Sequence, residues 1–269
     1  MILENVPELF GMEYAIISLL VLFFIFRSQK FNKTIRYLFL IATTWLGFLI
    51  FAPVLPIKFQ NLLALKPKGI NPQYVILILG TLIFLGLTLL SGRIFCGYLC
   101  PFGTIQELAY LIPTKKIEIS DRKLLFWIHL MDFGIFVGFG VFASRPILGF
   151  FGLQDFFYLR VGSIFFFVFL GILALSVFVY RPFCRGVCPY GFLLSLTAKE
   201  SRYKLRRNDR CIDCGLCEKA CPTNEAARGD DKAACYHCDR CVDVCPEDAI
   251  VYSTPLNETG NPVTDGQDE

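Results

Sequence analysis

The sequence has little net charge, few histidines and no sign of a leader peptide at its start. Lysine and arginine (26) nearly balance aspartate and glutamate (23), so the net charge is only +3 and gives no argument for a nucleic-acid partner. The first residues carry Glu4, Glu8 and Glu13, where a secretory signal peptide would carry positive charge. We therefore expect no cleaved signal.

Apolar residues, in contrast, are in excess. They make up 55% of the 269 residues and come in long blocks. A membrane-spanning helix needs ~20 mostly apolar residues, and five segments approach this: Leu9–Phe26, Tyr37–Leu55, Pro72–Leu90, Leu124–Phe142 and Val161–Tyr180. The sequence predicts a mostly α fold, with a polytopic transmembrane helix bundle of about five spans. Because of Glu13, the first segment could instead be an interfacial helix.

Eight of the twelve cysteines form a motif that is written twice between Cys211 and Pro246. Each copy is C-x-x-C-x-x-C-x-x-x-C-P, the spacing of two-cluster bacterial ferredoxins, in which the fourth cysteine of each run ligates the other cluster. This spacing assigns cluster I to Cys211, Cys214, Cys217 and Cys245, and cluster II to Cys235, Cys238, Cys241 and Cys221. Structural zinc is the alternative, but a zinc site needs only four ligands. We expect a small α+β ferredoxin domain with two [4Fe–4S] clusters.

Two considerations place this domain on the cytoplasmic side of a cytoplasmic (inner) membrane in a multi-pass protein. Cluster ligands must be thiolates, which favours a reducing compartment. The loops that follow odd-numbered spans are also richer in lysine and arginine than the loop after the fourth span, which is the expected bias of cytoplasmic loops. The basic stretch of residues 197–210 would then lie near anionic lipid headgroups.

The remaining four cysteines belong to an internal repeat with the pattern R-x-F-C-x-x-x-C-P-[FY]-G. One copy runs from Arg93 to Gly103 and the other from Arg181 to Gly191. Repeats of the same orientation are related by an axis along the membrane normal, so we expect the four thiols to meet: Cys96, Cys100, Cys184 and Cys188.

Proline after the second cysteine of each copy suits the first turn of a helix. Cys100 and Cys188 would then begin helices, where the helix dipole favours a thiolate. Three interpretations of the four thiols stay open: a third iron–sulfur cluster or a metal ion, redox-active disulfides, or reduced structural thiols.

Two ionisable residues lie within the fourth apolar segment. His129 and Asp132 are three residues apart and share a helix face. Ionisable groups in a span are usually functional, and a histidine near an aspartate could take protons from a quinol as it is oxidised. A packing hydrogen bond between helices is the alternative. The only other histidine, His237, lies inside the second cluster motif, so His129 has no partner for a bis-histidine haem and a cytochrome b is excluded.

The double repeat and the paired cluster motifs together resemble the NapH-type membrane ferredoxins, relatives of MauN, of the membrane half of NosR and of the CcoG-type proteins. The resemblance covers residues 37–252. It implies a quinol dehydrogenase that moves electrons between the quinone pool and a partner redox protein, with quinone or quinol as substrate. The first span would be an addition to the four-span plan. The flavin-binding domain of NosR and the immunoglobulin-like domain of CcoG have no counterpart in this sequence.

Two other functions use the same motifs. A maturation or metal-reducing factor for a metalloenzyme would share the clusters without needing a quinone site, and a membrane redox sensor would use the thiols to signal. The sequence divides into a transmembrane domain (1–200), a two-cluster ferredoxin-like domain (201–253) and a disordered tail (254–269), the last because its composition is polar and acidic.

Overall fold

The computed structural model describes residues 6–28, 32–50, 72–119, 121–143 and 148–255. The predicted disordered tail lies outside them, apart from its first two residues. Nine α-helices of the described part precede the first strand: α1 (Val6–Arg27), α2 (Lys33–Ile50), α3 (Pro72–Ser91), α4 (Pro101–Tyr110), α5 (Arg122–Gly138), α6 (Leu153–Phe157), α7 (Ile164–Ser176), α8 (Pro182–Gly186) and α9 (Pro189–Lys199). Two π-helical turns, Phe95–Leu99 and Phe139–Ala143, and a 3₁₀ turn, Leu148–Phe151, interrupt this series.

The ferredoxin-like region follows directly. It consists of β1 (Lys204–Arg207), α10 (Leu216–Ala220), α11 (Arg240–Asp243) and β2 (Ile250–Ser253). The two strands pair antiparallel, with Lys204 opposite Ser253 and Arg207 opposite Ile250. The mostly helical architecture with a small ferredoxin-like region is therefore confirmed.

The predicted transmembrane bundle is wrong. In the part of the chain that the structure describes, no helix combines the length and the apolarity that crossing a membrane requires. A membrane span needs ~20 residues. The fifth predicted span forms only the 13-residue helix α7. The fourth predicted span forms α5, which ends at Gly138 after 17 residues. The predicted multi-pass location in a cytoplasmic membrane is overturned by the same finding.

Local sequence explains where several helices begin. Asp121 caps α5 by accepting hydrogen bonds from the backbone N–H groups of Lys123 and Leu124, both at 3.0 Å. Ser163 caps α7 in the same way. Pro101 and Pro189 occupy the first positions of α4 and α9, as predicted. Proline is favoured there because the backbone N–H that it lacks would have no acceptor within the helix.

The core of the helical part is aromatic. The rings of Phe102, Phe157, Phe169 and Phe183 pack edge to face or tilted, with centroids 5.4–6.4 Å apart. Helix α2 packs on α4, and α9 packs on α3 and α5. This core fixes the two C-x-x-x-C-P segments relative to each other.

The ferredoxin-like region is joined to the helical part by backbone hydrogen bonds. The N–H groups of Arg202 and Tyr203 donate to the carbonyl oxygens of Leu89 and Leu90 at the end of α3, at 2.8 and 3.0 Å. The Tyr252 hydroxyl donates to the carbonyl of Ser91 at 2.9 Å. The end of α3 thereby gains the partners that its last carbonyl groups lack within the helix.

Candidate functional site

The eight cysteines of the ferredoxin motif line two separate cavities. Cys221, Cys235, Cys238 and Cys241 border one, of about 190 Å³. The other, of about 20 Å³, is bordered by Cys211, Cys214, Cys217 and Cys245. These are the two sets that the motif spacing assigns to clusters II and I, including the exchange of the fourth cysteine. Ligation by these sets stays a prediction.

All twelve cysteines are free thiols. Among the described residues, no three His, Cys, Asp or Glu side chains converge as they would around one metal ion.

The structure also brings together the four cysteines of the repeat. Cys96, Cys100, Cys184 and Cys188 are all buried. They lie near enough to one another that charge on Cys96 and Cys184 would raise the pKa of Cys100, and charge on Cys96, Cys100 and Cys184 would raise the pKa of Cys188. The Gln106 side chain donates to the Cys184 sulfur, and the N–H of Gly191 to that of Cys188, both at 3.3 Å. We call this group the four-thiol site.

The glycine that ends each repeat permits this approach. A Cβ at Gly103 would lie 2.3 Å from the Cys96 carbonyl oxygen and 3.0 Å from Arg181 Nη1. The equivalent Cβ at Gly191 would lie 3.1 Å from the Cys184 carbonyl oxygen and 3.2 Å from Arg93 Nη2. The arginine of each repeat thus reaches the glycine of the other, and the two copies hold one another reciprocally.

Both of these arginines are almost completely buried, with 2% of Arg93 and 1% of Arg181 exposed. The Nε and Nη2 atoms of Arg93 have no hydrogen-bond acceptor among the described residues. Although burial opposes its charge, nearby Tyr236, Cys96 and Cys184 raise the pKa of Arg93 above its ordinary value. The four-thiol site therefore lies beside a buried cation whose hydrogen bonds are incomplete.

Burial shifts the pKa values of three of these thiols upward. It raises the pKa of Cys184 to about 11, and it raises the pKa values of Cys100 and Cys188 well above the ordinary thiol value. This burial opposes the effect that we expect of the dipole at a helix start, because desolvation disfavours the charged thiolate. Binding of an electrophilic iron centre would have to release these protons.

A buried acidic residue, which the sequence pattern did not single out, pairs with the arginine of the second repeat. Glu107 of α4 is buried between Arg181 and Arg240, with O–N distances of 2.9 and 2.5 Å. Arg240 belongs to the second cluster motif, so this carboxylate links the repeat to the ferredoxin-like region. The only signal in the sequence was a glutamate in the stretch after Pro101, which alone does not specify its partners.

The two residues of the predicted proton-transfer pair, His129 and Asp132, both lie on α5. His129 is buried and its Nε2 is 2.8 Å from the Cys188 carbonyl oxygen. No hydrogen bond joins it to Asp132 within the described part. Burial lowers the pKa of His129 to about 4 and raises the pKa of Asp132. His129 thus borders the four-thiol site as a neutral hydrogen-bond partner of the backbone.

Comparison with known proteins adds two kinds of information. Family models described as "4Fe-4S binding domain" match residues 74–120 and 161–208, which hold the two repeats, and residues 207–224, which open the ferredoxin-like region. No solved structure matches significantly.

Several curated proteins are similar to this chain. An uncharacterized protein of Methanocaldococcus jannaschii is 30% identical over 180 residues, covering 62% of this chain and 74% of the relative. The putative electron transport protein YccM of Escherichia coli is 28% identical, and the match covers 61% of this chain and 51% of the relative. The ferredoxin-type protein NapH of Haemophilus influenzae is 24% identical, covering 70% and 72%.

Proposed function

We propose, from the premise that this chain belongs to the family of NapH-type ferredoxins, which also includes MauN and NosR, that it conducts electrons through three [4Fe–4S] clusters. The family and its cluster-binding domains make this chain a ferredoxin-type 4Fe–4S electron-transfer protein. The proposal adds that the four-thiol site holds the third cluster, with Cys96, Cys100, Cys184 and Cys188 as ligands.

The observation that carries the proposal is that four buried thiols lie near one another beside Arg93. An isolated charge in the interior costs several kcal/mol unless a counter-charge is close, and two nitrogens of this guanidinium have no acceptor within the described residues. Thiolates on a cluster carry net negative charge and can accept hydrogen bonds. An anionic occupant would therefore satisfy both the cation and the thiols.

The two ferredoxin cavities fit the same chemistry. Each is lined by four cysteines from two distant turns of the chain, and soft thiolate ligands at this density select iron–sulfur clusters. When bound, such a cluster supplies one-electron transfer at a potential that the surrounding charges and hydrogen bonds set. The chain's own contribution is to hold the cysteines in place and to shield most of them from water.

The electron partner is expected at the cluster I end. Cys214 is exposed, whereas the cluster II cysteines are half-buried. We propose that a partner redox protein docks near Cys214. The quinol-oxidising role that the resemblance implies stays a prediction, which a reduced quinol analogue tests.

The test is the iron and acid-labile sulfide content of anaerobically purified protein. Three [4Fe–4S] clusters give about twelve irons per chain and two give about eight. We expect about twelve in the wild type and about eight in Cys96→Ser or Cys188→Ser, with the ferredoxin-type EPR signals retained. Cys214→Ser is the matched control, because it should perturb a ferredoxin-type EPR signal and leave the third cluster unchanged. A wild type with about eight irons would contradict the third cluster.

A further inference from the structure

Tyr236 fills the space between the cluster II cysteines and the four-thiol site. It follows Cys235 directly in the chain, is 2% exposed, and lies close enough to Cys96 and Cys184 for electrostatic interaction. Its hydroxyl donates to the Cys184 carbonyl oxygen at 3.2 Å. The side chain therefore connects a predicted ligand of cluster II to one of the four-thiol site through a single hydrogen bond.

Two buried arginines clamp the Tyr236 ring. The guanidinium carbon of Arg93 lies 4.3 Å from the ring centroid and that of Arg181 lies 4.7 Å from it. Cation–π contacts of this kind are strongest when desolvated. Because the two arginines belong to the two copies of the repeat, both copies contribute to holding this one ring.

The backbone of Tyr236 makes a second connection. A Cβ at Gly97 would lie 2.3 Å from the Tyr236 carbonyl oxygen, so only glycine allows this approach. Gly97 directly follows Cys96, and the π-helical turn Phe95–Leu99 presents it. Tyr236 thus touches the first repeat through its backbone and through the ring contact with Arg93, and the second repeat through its side chain.

Further contacts lock the loop that contains Tyr236. The Tyr98 hydroxyl donates to the His237 carbonyl oxygen at 2.6 Å. Arg36 donates to the Cys238 carbonyl oxygen at 3.0 Å, and Arg240 is paired with Glu107. These contacts hold the ferredoxin-like region against the repeat, which suits electron tunnelling over a fixed path.

We propose that Tyr236, held by Arg93 and Arg181 and packed on Gly97, is the electron-tunnelling bridge between the cluster II site and the four-thiol site. The inference rests on the proposed function, since it needs a redox centre at both ends. One electron crosses and no bond or proton is exchanged: one centre is oxidised by one electron and the other is reduced by one. Tyr236 is a positioning residue that provides the path and is not itself oxidised.

The experiment follows electron arrival at the four-thiol centre by rapid-freeze EPR after photoreduction with a deazaflavin dye. Tyr236→Leu removes the ring and the hydroxyl, and we expect the transfer rate to fall roughly tenfold, as when an outer-shell partner of a metal site is lost. Tyr236→Phe keeps the ring and removes only the hydrogen bond, so the transfer rate should fall less in this variant. Magnetic coupling between the two reduced centres gives a second readout and should weaken in Tyr236→Leu.

Gly97→Ala tests the backbone connection and has a matched control. A Cβ at Gly97 collides with the Tyr236 carbonyl, whereas a Cβ at Gly186, in the other repeat, would meet nothing within 4 Å. We expect Gly97→Ala to slow transfer and to increase amide hydrogen exchange in residues 235–240 of the cluster-free protein, and Gly186→Ala to change neither.

The outcomes separate the two proposals. About twelve irons per chain with wild-type transfer rates in Tyr236→Leu, Tyr236→Phe and Gly97→Ala would overturn the bridge and leave the third cluster standing. About eight irons in the wild type would overturn both, because the bridge would lack one end. If Tyr236→Leu loses its clusters, the isosteric Tyr236→Phe decides: an unchanged rate and unchanged coupling there would overturn the side-chain path.

Discussion

Arg181 donates a hydrogen bond from Nη1 to the carbonyl oxygen of Cys96, 2.6 Å away, although 85 residues separate them. Its Nη2 donates to the Gly97 carbonyl oxygen at 3.0 Å and its Nε to Glu107 at 2.9 Å. One guanidinium of the second repeat thus fixes the backbone of the first repeat at the point where Tyr236 packs.

Replacing Arg181 by Gln should destabilise the protein by about 3 kcal/mol, because removing one member of a buried ion pair leaves the other charge uncompensated. Chemical denaturation of the wild type and the variant under anaerobic conditions measures the difference. Arg160→Gln is the control: its side chain is 61% exposed and its distance to Asp155 is 3.5 Å, so a change within about 0.5 kcal/mol is expected. Equal effects of the two substitutions would contradict the structural role of Arg181.

Replacing Gly103 by Ala should destabilise the protein by roughly 1–3 kcal/mol, since the new methyl group collides with the Cys96 carbonyl. The cluster proposed at the four-thiol site should also be lost, which iron content measures. The matched substitution Gly134→Ala lies in the interior of α5 with nothing within 4 Å of the new Cβ. It should stabilise the protein by about 0.4–1 kcal/mol, as expected where only chain entropy changes. A stabilised Gly103→Ala variant would contradict the close packing of the repeats.

Glu107 should make the stability of the protein depend on pH in the acidic range. Burial acts to raise the pKa of this carboxyl, but Arg181 and Arg240 outweigh it and lower the pKa below its ordinary value. A carboxylate with a lowered pKa stabilises the folded state above the ordinary carboxyl pKa, and this stabilisation is lost as pH falls through the folded pKa.

The measurement compares the unfolding free energies of the wild type and Glu107→Gln at neutral pH and at successively lower pH. The difference between them should be largest near neutrality and should shrink on acidification. Glu247→Gln, at an exposed position, serves as the control and should track the wild type throughout. A difference that stays constant with pH would show that Glu107 is not a charged partner of the arginines.

His129 and Asp132 should respond differently to substitution. His129→Leu removes the 2.8 Å hydrogen bond to the Cys188 carbonyl oxygen, which keeps the backbone N–H of Phe192 as a donor at 3.1 Å. The loss should cost about 0.5–1.5 kcal/mol and should lower retention of the cluster proposed at the four-thiol site. Asp132→Asn should leave iron content unchanged. The predicted quinol role is tested in the same samples: a proton-transfer pair requires both variants to slow reduction by a quinol analogue, and normal reduction in Asp132→Asn would remove Asp132 from that role.

Sequence alone located most of the chemistry. The cysteine spacing assigned eight ligands to two sets, and the structure places the same sets around two cavities. The repeat predicted that Pro101 and Pro189 begin helices and that four further thiols meet. Such features can be predicted from sequence because ligand spacing and helix starts depend on residues that are only a few positions apart.

Only the tertiary structure decided the rest. Long apolar segments predicted membrane spans, but apolar content does not by itself fix where a helix ends, and α7 ends after 13 residues. Burial raises the pKa of the Cys100 thiol at its helix start, and the contacts of Tyr236 with Gly97 and of Glu107 with Arg240 join residues more than 130 positions apart. No local pattern specifies such pairs, since they depend on how the whole chain folds back to place the ferredoxin-like loop against the repeat.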